Sequence, residues 1–392
     1  MKQNKLQLIY YLLREGFFIL FIFIFCIQVF ASNQNSSLNL PQEIGQMIMI
    51  GFNGNSIHEG DPIFKDIMAE RIGGVVLFDY NYLNKKFDNN IKDPQQLAKL
   101  TQQIQNYNKQ SATINHTDFL PLLIGIDYEG GERGTRLQPR HGFPETYNAQ
   151  YLGSHPIEVT KKQAAIMTAI LKNSGINLTF GPDVDLNTNP NNPVIGRLGR
   201  SFSSNPNEVV KYAKAFTNTY HAQQILCAYK HFPGHGSSTE DSHLGFVDIT
   251  KTWNPIELAP YINLLNSENS CNFVMVGHII NHNLDENDYP ATLSYKIIHD
   301  LLRKQLKFSG IVITDDLQMG AIIKTYGLKT TVRDTILAGA DILLFANQLD
   351  YDPEIAKKTI NIVMEMIADG TITRTRIDES YNRIMAIKQN IH

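Results

Sequence analysis

Between Lys230 and His243 the chain gathers side chains able to move protons: Lys230-His231-Phe232-Pro233-Gly234-His235-Gly236, then Asp241-Ser242-His243. Pro233, Gly234 and Gly236 interrupt any regular element, so this stretch reads as a loop that projects its side chains. Asp241 and His243 stand two residues apart, and in an extended segment both side chains point to one side. A carboxylate bonded to an imidazole fixes its tautomer and lets the ring give and retake a proton near neutral pH. The alternative for an Asp-x-His pair is a solvated loop contact. Asp315 follows the run Ile311-Val312-Ile313-Thr314, and so sits at the carboxyl end of a strand. A carboxylate held ionised there can attack an anomeric carbon and form a covalent glycosyl-enzyme. Its neighbour Asp316 is expected to face away and to cap the following helix at Leu317-Gln318-Met319. A competing chemistry takes His231, His235, Asp241 and His243 as metal ligands of a hydrolase.

These groups need a scaffold that brings distant stretches together. Strand-length apolar runs recur at Met47 to Phe52, Gly74 to Phe78, Leu122 to Asp127, Ile176 to Phe180, Ile225 to Tyr229, Phe273 to Gly277, Ile311 to Thr314 and Ile342 to Phe345. Their Ile, Val, Leu and Phe content suits strands buried on both faces. Amphipathic segments such as Pro94 to Lys109, Ile157 to Asn173 and Asn207 to Gln223 lie between them. Strand and helix alternating in this way predict an α/β fold, a single (β/α)8 TIM-type barrel; an open doubly wound sheet fits the same periodicity. Asp127-Tyr128-Glu129-Gly130-Gly131, Asp183-x-Asp185, Lys230-His231, Gly277-His278 and Thr314-Asp315-Asp316 all follow such runs. A parallel barrel opens the carboxyl ends of its strands on one face, where active sites form.

The motif Lys230 to Gly236 with Asp241-Ser242-His243 resembles that of bacterial β-N-acetylglucosaminidases of glycoside hydrolase family 3. So do Asp127 to Gly131, Asn192-Pro193-Val194-Ile195-Gly196 with Arg200-Ser201-Phe202-Ser203, and Ile313 to Leu317. Pro290-Ala291-Thr292-Leu293-Ser294 and Arg376-Ile377-Asp378-Glu379-Ser380 continue the likeness, which runs from about residue 41 to 392. The resemblance implies a barrel domain over 41–392, with Asp315 as nucleophile, His243 as general acid/base and Asp241 as its partner. It implies sugar contacts from Asp127, Arg136, Arg200, Lys230 and His231, an oligosaccharide substrate, and neither metal nor organic cofactor. Two departures are visible. Gly130-Gly131 is followed by one residue more than the family pattern before Arg136, which makes Arg133 its rival, and Arg197 rivals Arg200 in a lengthened turn. The implied reaction is retaining release of terminal β-linked N-acetylglucosamine from peptidoglycan fragments or chitin-type oligosaccharides. A related phosphorylase is the alternative, because a histidine acid/base tolerates an anionic acceptor.

Composition agrees with a globular protein: of 392 residues 43% are hydrophobic and 19% charged, which supplies ample core material. A net charge of −3 without a basic tail excludes an electrostatic footprint for nucleic acid. Lys2, Lys5 and Arg14 precede the apolar run Phe17 to Ile27, and Val29-Phe30-Ala31 offers a cleavage site. Residues 1–31 therefore read as a secretory signal peptide, with an uncleaved anchor as the alternative. Export to the periplasm or medium is expected, as a monomer without stable membrane insertion once the signal is removed. Beyond residue 31 only Cys227 and Cys271 remain, either paired or buried as thiols.

Overall fold

The computed structural model describes residues 38–241, 245–319 and 322–391. Residues 1–31, read above as a signal peptide, and His243 lie outside the described residues. Each predicted apolar run forms a strand: β1 Ile48–Gly51, β2 Gly74–Leu77, β3 Leu123–Ile126, β4 Leu178–Thr179, β5 Leu226–Phe232, β6 Phe273–Val276, β7 Ile311–Thr314 and β8 Leu343–Phe345. They pair in parallel in the order β7-β6-β5-β4-β3-β2-β1-β8. A parallel bridge from Ile313 to Ile342 joins the two ends, and Leu344 N donates to Thr314 Oγ1 at 3.0 Å. The sheet is thus a closed (β/α)8 barrel, not the open alternative. Closure buries both faces of every strand, which is why the runs are continuously apolar rather than alternating.

The helices start where local chemistry allows. Asp93 accepts from Gln96 N at the head of Pro94–Ile114, and Asn205 accepts from Asn207 N before Pro206–Ala222, each with proline in the first turn. The helix Ile157–Asn173 has the predicted bounds, while the one from Pro94 runs past Lys109 because no stop signal precedes Asn115.

At the amino ends of the strands the barrel is tied by charge. Buried Asp341 accepts from Arg383 Nη1 at 2.9 Å, Ser380 Oγ at 2.7 Å and Val312 N at 2.9 Å, and also pairs with Arg303. Arg376 donates to the Ile336 and Ala340 carbonyls, so the closing helix Arg374–Lys388 locks against β7 and β8. The motif Arg376 to Ser380 is therefore architectural. Cys227 and Cys271 form a disulfide, with Cα atoms 4.9 Å apart, at the amino ends of neighbouring β5 and β6. No helix among the described residues is long and apolar enough to cross a membrane.

Candidate active site

The carboxyl ends of the strands open into a cavity of about 330 Å³, the size of small-ligand pockets. Its lining includes Asp127, Glu129, Arg136, Arg200, Lys230, His231, Asp241 and Asp315, so the described residues of the predicted set converge there.

A carboxylate–cation lattice forms the floor. Lys230 Nζ, at the end of β5, donates to Asp127 Oδ1 at 2.8 Å and lies 2.7 Å from Glu129 Oε1. Arg200 grips Glu129 with both arms, Nε to Oε2 at 2.8 Å and Nη2 to Oε1 at 2.7 Å, and stands 3.4 Å from Asp183. Arg136 reaches Asp127 at 3.4 Å and Asp79 at 3.8 Å, its guanidinium over the Phe78 ring. Burial alone would raise the pKa of Asp127, but Lys230 and Arg136 outweigh it and hold the carboxyl well below its usual range. Glu129 is likewise held down against burial by Arg200 and Lys230. Burial opposes the charge of Lys230, yet Asp127 and Glu129 keep its ammonium above the ordinary value. These groups stay charged, a fixed set of donors and acceptors suited to the hydroxyls of a polyol.

His231 is oriented from behind. Its Nδ1 lies 2.7 Å from Asp185 Oδ2, leaving Nε2 3.5 Å from Arg200 Nη2. Asp185 Oδ1 also accepts from His235 N at 2.8 Å. Burial pushes Asp185 up, but the His231 contact prevails and lowers its carboxyl pKa. Burial, followed by the Asp185 charge, drives Asp183 well above the usual range. Burial and His231 depress the His235 imidazole to about 4. Asp183, Asp185 and His231 stand close enough to share a cation, their ligand atoms within 4.8 Å of one another. Arg200 already supplies positive charge to Asp183, and among the described residues His231 is the one member of the His231, His235, Asp241 and His243 set that belongs to this grouping.

The loop after β5 is held from two sides. Asn192 Nδ2 donates to the His235 and Gly236 carbonyls while its Oδ1 accepts from Val194 N and Ile195 N. Trp253 Nε1 donates to the Pro233 carbonyl, and Ser237 N donates to Glu257 Oε2 at 3.3 Å. Asp241 emerges from this loop, half-buried, into the cavity.

Asp315 follows β7, its backbone N–H donating to the Val276 carbonyl, and its carboxyl lines the cavity. Asp316 departs from expectation. The strand stops at Thr314, so alternation no longer applies, and Asp316 lines the cavity as well. Its Oδ1 accepts from Gln318 N and from Ala346 N, so it ties the β7 loop to the β8 loop rather than capping a helix. Burial pushes its pKa up to about 7.

Of the rival arginines, Arg200 is buried in the lattice and Arg197 is exposed; Arg136 contacts Asp127, whereas Arg133 is exposed at the cavity wall. Glu129 and Asp185 were not among the predicted site residues, although the spacings Asp127-x-Glu129 and Asp183-x-Asp185 carry the signal for two carboxylates on one side of a strand end.

Residues 39–387 match the glycosyl hydrolase family 3 N terminal domain. The chain is 32% identical over 380 residues to beta-hexosaminidase A of Pseudoalteromonas piscicida, covering 89% of this chain and 60% of that protein. It is 34% identical over 283 residues to a beta-hexosaminidase of Tolumonas auensis, covering 70% and 76%. Among solved structures it is similar to the family 3 beta-N-acetylglucosaminidase of Paenibacillus sp., with a TM-score of 0.79, 32% identity and coverage of 90% and 62%. The beta-N-acetylhexosaminidase of Beutenbergia cavernae superposes with a TM-score of 0.79 at 27% identity, covering 91% of this chain and all of that one. The chain thus spans about three-fifths of the length of the first relative named and the whole of the last.

Proposed function

The chain belongs to glycosyl hydrolase family 3, and on that basis we propose that it is a retaining β-N-acetylhexosaminidase releasing terminal N-acetylglucosamine from an oligosaccharide. The observation that carries this reading is the cavity in which Asp315 shares a wall with the Asp127–Lys230–Glu129–Arg200 lattice. The lattice is suited to hold the hydroxyls of the terminal sugar while Asp315 attacks C1. His243, two residues after Asp241 in the chain, protonates the leaving oxygen. Departure of the leaving group gives a glycosyl ester on Asp315. His243 then takes a proton from water, which attacks C1 and frees the sugar with its configuration retained. His231, Arg136 and Arg200 orient the sugar and keep the floor charged. The basic, apolar and cleavage-like segments of residues 1–31, together with a disulfide typical of oxidising compartments, support export.

One experiment tests both parts. The full chain is expressed, and hydrolysis of a chromogenic β-N-acetylglucosaminide is measured in cytoplasmic and extracytoplasmic fractions. The reading expects activity outside the cytoplasm, free sugar as product with phosphate present or absent, and loss of roughly a thousandfold or more in kcat for Asp315→Asn. Full activity in that variant, or sugar phosphate as the product, overturns the mechanism; activity confined to the cytoplasm overturns export.

A further inference from the structure

The charged groups of the cavity come from one side of the barrel, the ends of β3 to β5 together with β7. The remaining sector, after β8 and β2, contributes Val76, Phe78, Tyr82, Leu344, Gln348 and Leu349 to the lining, none of them charged. Within that sector Gln348 stands out. It is 4% exposed, and neither its amide nitrogen nor its amide oxygen has a hydrogen-bond partner among the described residues. A buried amide left without partners is costly, so one that lines a cavity points to a ligand able to donate and accept.

The backbone aims this side chain with some precision. Asn347 adopts the left-handed conformation, φ 54°, which asparagine tolerates better than most residues. Its N–H donates to Gln318 Oε1 at 2.7 Å and its Oδ1 accepts from Asp352 N at 2.7 Å. Gln318 Nε2 donates in turn to the Asp350 carbonyl, and Asp316 accepts from Ala346 N. The loop bearing Gln348 is therefore bonded to the loop bearing Asp315.

An aromatic ring lines the same cavity. Tyr82 lies between the two short strands of a hairpin, Tyr80–Asn81 and Lys86–Phe87. Its ring is 46% exposed and meets Tyr80 edge-on at 4.9 Å, while Tyr80 packs on Phe87 and Arg140 covers Phe87 at 4.2 Å. Asn81 Nδ2 donates to Asn53 Oδ1, fixing the hairpin to the loop after β1. A supported, half-exposed ring and an unpartnered amide lining one cavity match a pyranose, which has an apolar C–H face and a hydroxyl edge.

We propose that Gln348 and Tyr82 form the subsite for the leaving group, taking a second pyranose with its apolar face on Tyr82 and a hydroxyl pair on the Gln348 amide. The assignment rests on the hydrolase reading above. It makes the natural substrate an oligosaccharide recognised in its penultimate sugar, rather than any glycoside with a terminal N-acetylglucosamine.

The test compares kcat/KM on N,N′-diacetylchitobiose with kcat/KM on the methyl β-glycoside of N-acetylglucosamine, which has an alkoxide leaving group but no second ring. The ratio of the two should fall at least tenfold in Gln348→Leu and in Tyr82→Ala, and should survive Tyr82→Phe. An unchanged ratio in the first two variants overturns the subsite, as does a fall of equal size on both substrates. Binding of the sulfur-linked disaccharide, measured by calorimetry, separates this inference from the parent reading. Wild-type binding without cleavage of either substrate defeats the hydrolase reading and retains the subsite, provided the two variants bind at least tenfold more weakly. Variants that bind as tightly as wild type defeat the subsite. Tyr82 is exposed, so its variant tests the idea even where Gln348→Leu folds poorly.

Discussion

Glu129 holds two buried cations at once, Arg200 through a bidentate contact and Lys230 at 2.7 Å. Removing one member of such a set leaves the others charged in a medium that solvates them poorly. Glu129→Ala should therefore lower the unfolding free energy by roughly 3–5 kcal/mol, read from urea denaturation. It should also weaken substrate binding, because Arg200 and Lys230 lose their positions. A loss below about 0.5 kcal/mol, the ordinary surface value, would mean that the lattice is solvated in the native protein. The chain itself shows part of this lattice: Asp127, Lys230 and His231 stand out because charged residues at the ends of apolar runs must have partners, whereas Arg200 is named only by the resemblance to the family. Gln348 is invisible at that level, since an uncharged amide after a strand resembles any loop residue. Asp316 misleads for a physical reason. Strand alternation predicts its direction only while the strand lasts, and β7 ends two residues before it.

The strands were legible because closure of the barrel buries both faces, leaving runs too apolar for anything else. Their pairing was not legible, and with it went the state of the cysteines. Cys227 and Cys271 bond because β5 and β6 are neighbours in register, Ala228 opposite Phe273. The disulfide closes a separation of 44 residues, for which the chain-entropy relation gives about 4 kcal/mol. Reductant should lower the urea midpoint of the wild-type protein by an amount corresponding to roughly 2–4 kcal/mol, and should leave Cys227→Ala/Cys271→Ala unaffected. Equal midpoints for oxidised and reduced wild type would show that the bond adds no stability. The hairpin bearing Tyr82 escaped the sequence reading as well. Its strands are two residues long, too short for alternation to register.

Closure of the whole barrel brings the ends of the domain together. Lys388 Nζ, in the helix Arg374–Lys388, donates to Gln46 Oε1 in the first described helix, Leu40–Gln46, at 2.7 Å, both buried, and Arg374 pairs with Glu43 beside them. Burial and the nearby Arg71 charge pull the Lys388 ammonium down to about 7. In the unfolded chain a lysine titrates near 10.4. Between about pH 7 and 10.4 the unfolded chain therefore holds a proton that the native protein does not, and this group makes stability rise with pH. Below pH 7 the native protein bears the full cost of a buried charge. Lys388→Met should be more stable than wild type by roughly 2–4 kcal/mol at pH 6, with the gain shrinking towards pH 10. A gain of the same size at both pH values would assign the effect to packing. Local pattern in the chain was sufficient for the eight strands and for the placing of Asp315 and the Lys230 loop just after two of them, because burial of strands and punctuation by proline and glycine act over a few residues. The three-dimensional fold alone settled which carboxylate meets which cation, that the cysteines join, and that the Gln348 amide after β8 lines the same cavity as Asp315. Those depend on contacts between residues far apart in the chain, whose geometry exists only once the sheet has closed.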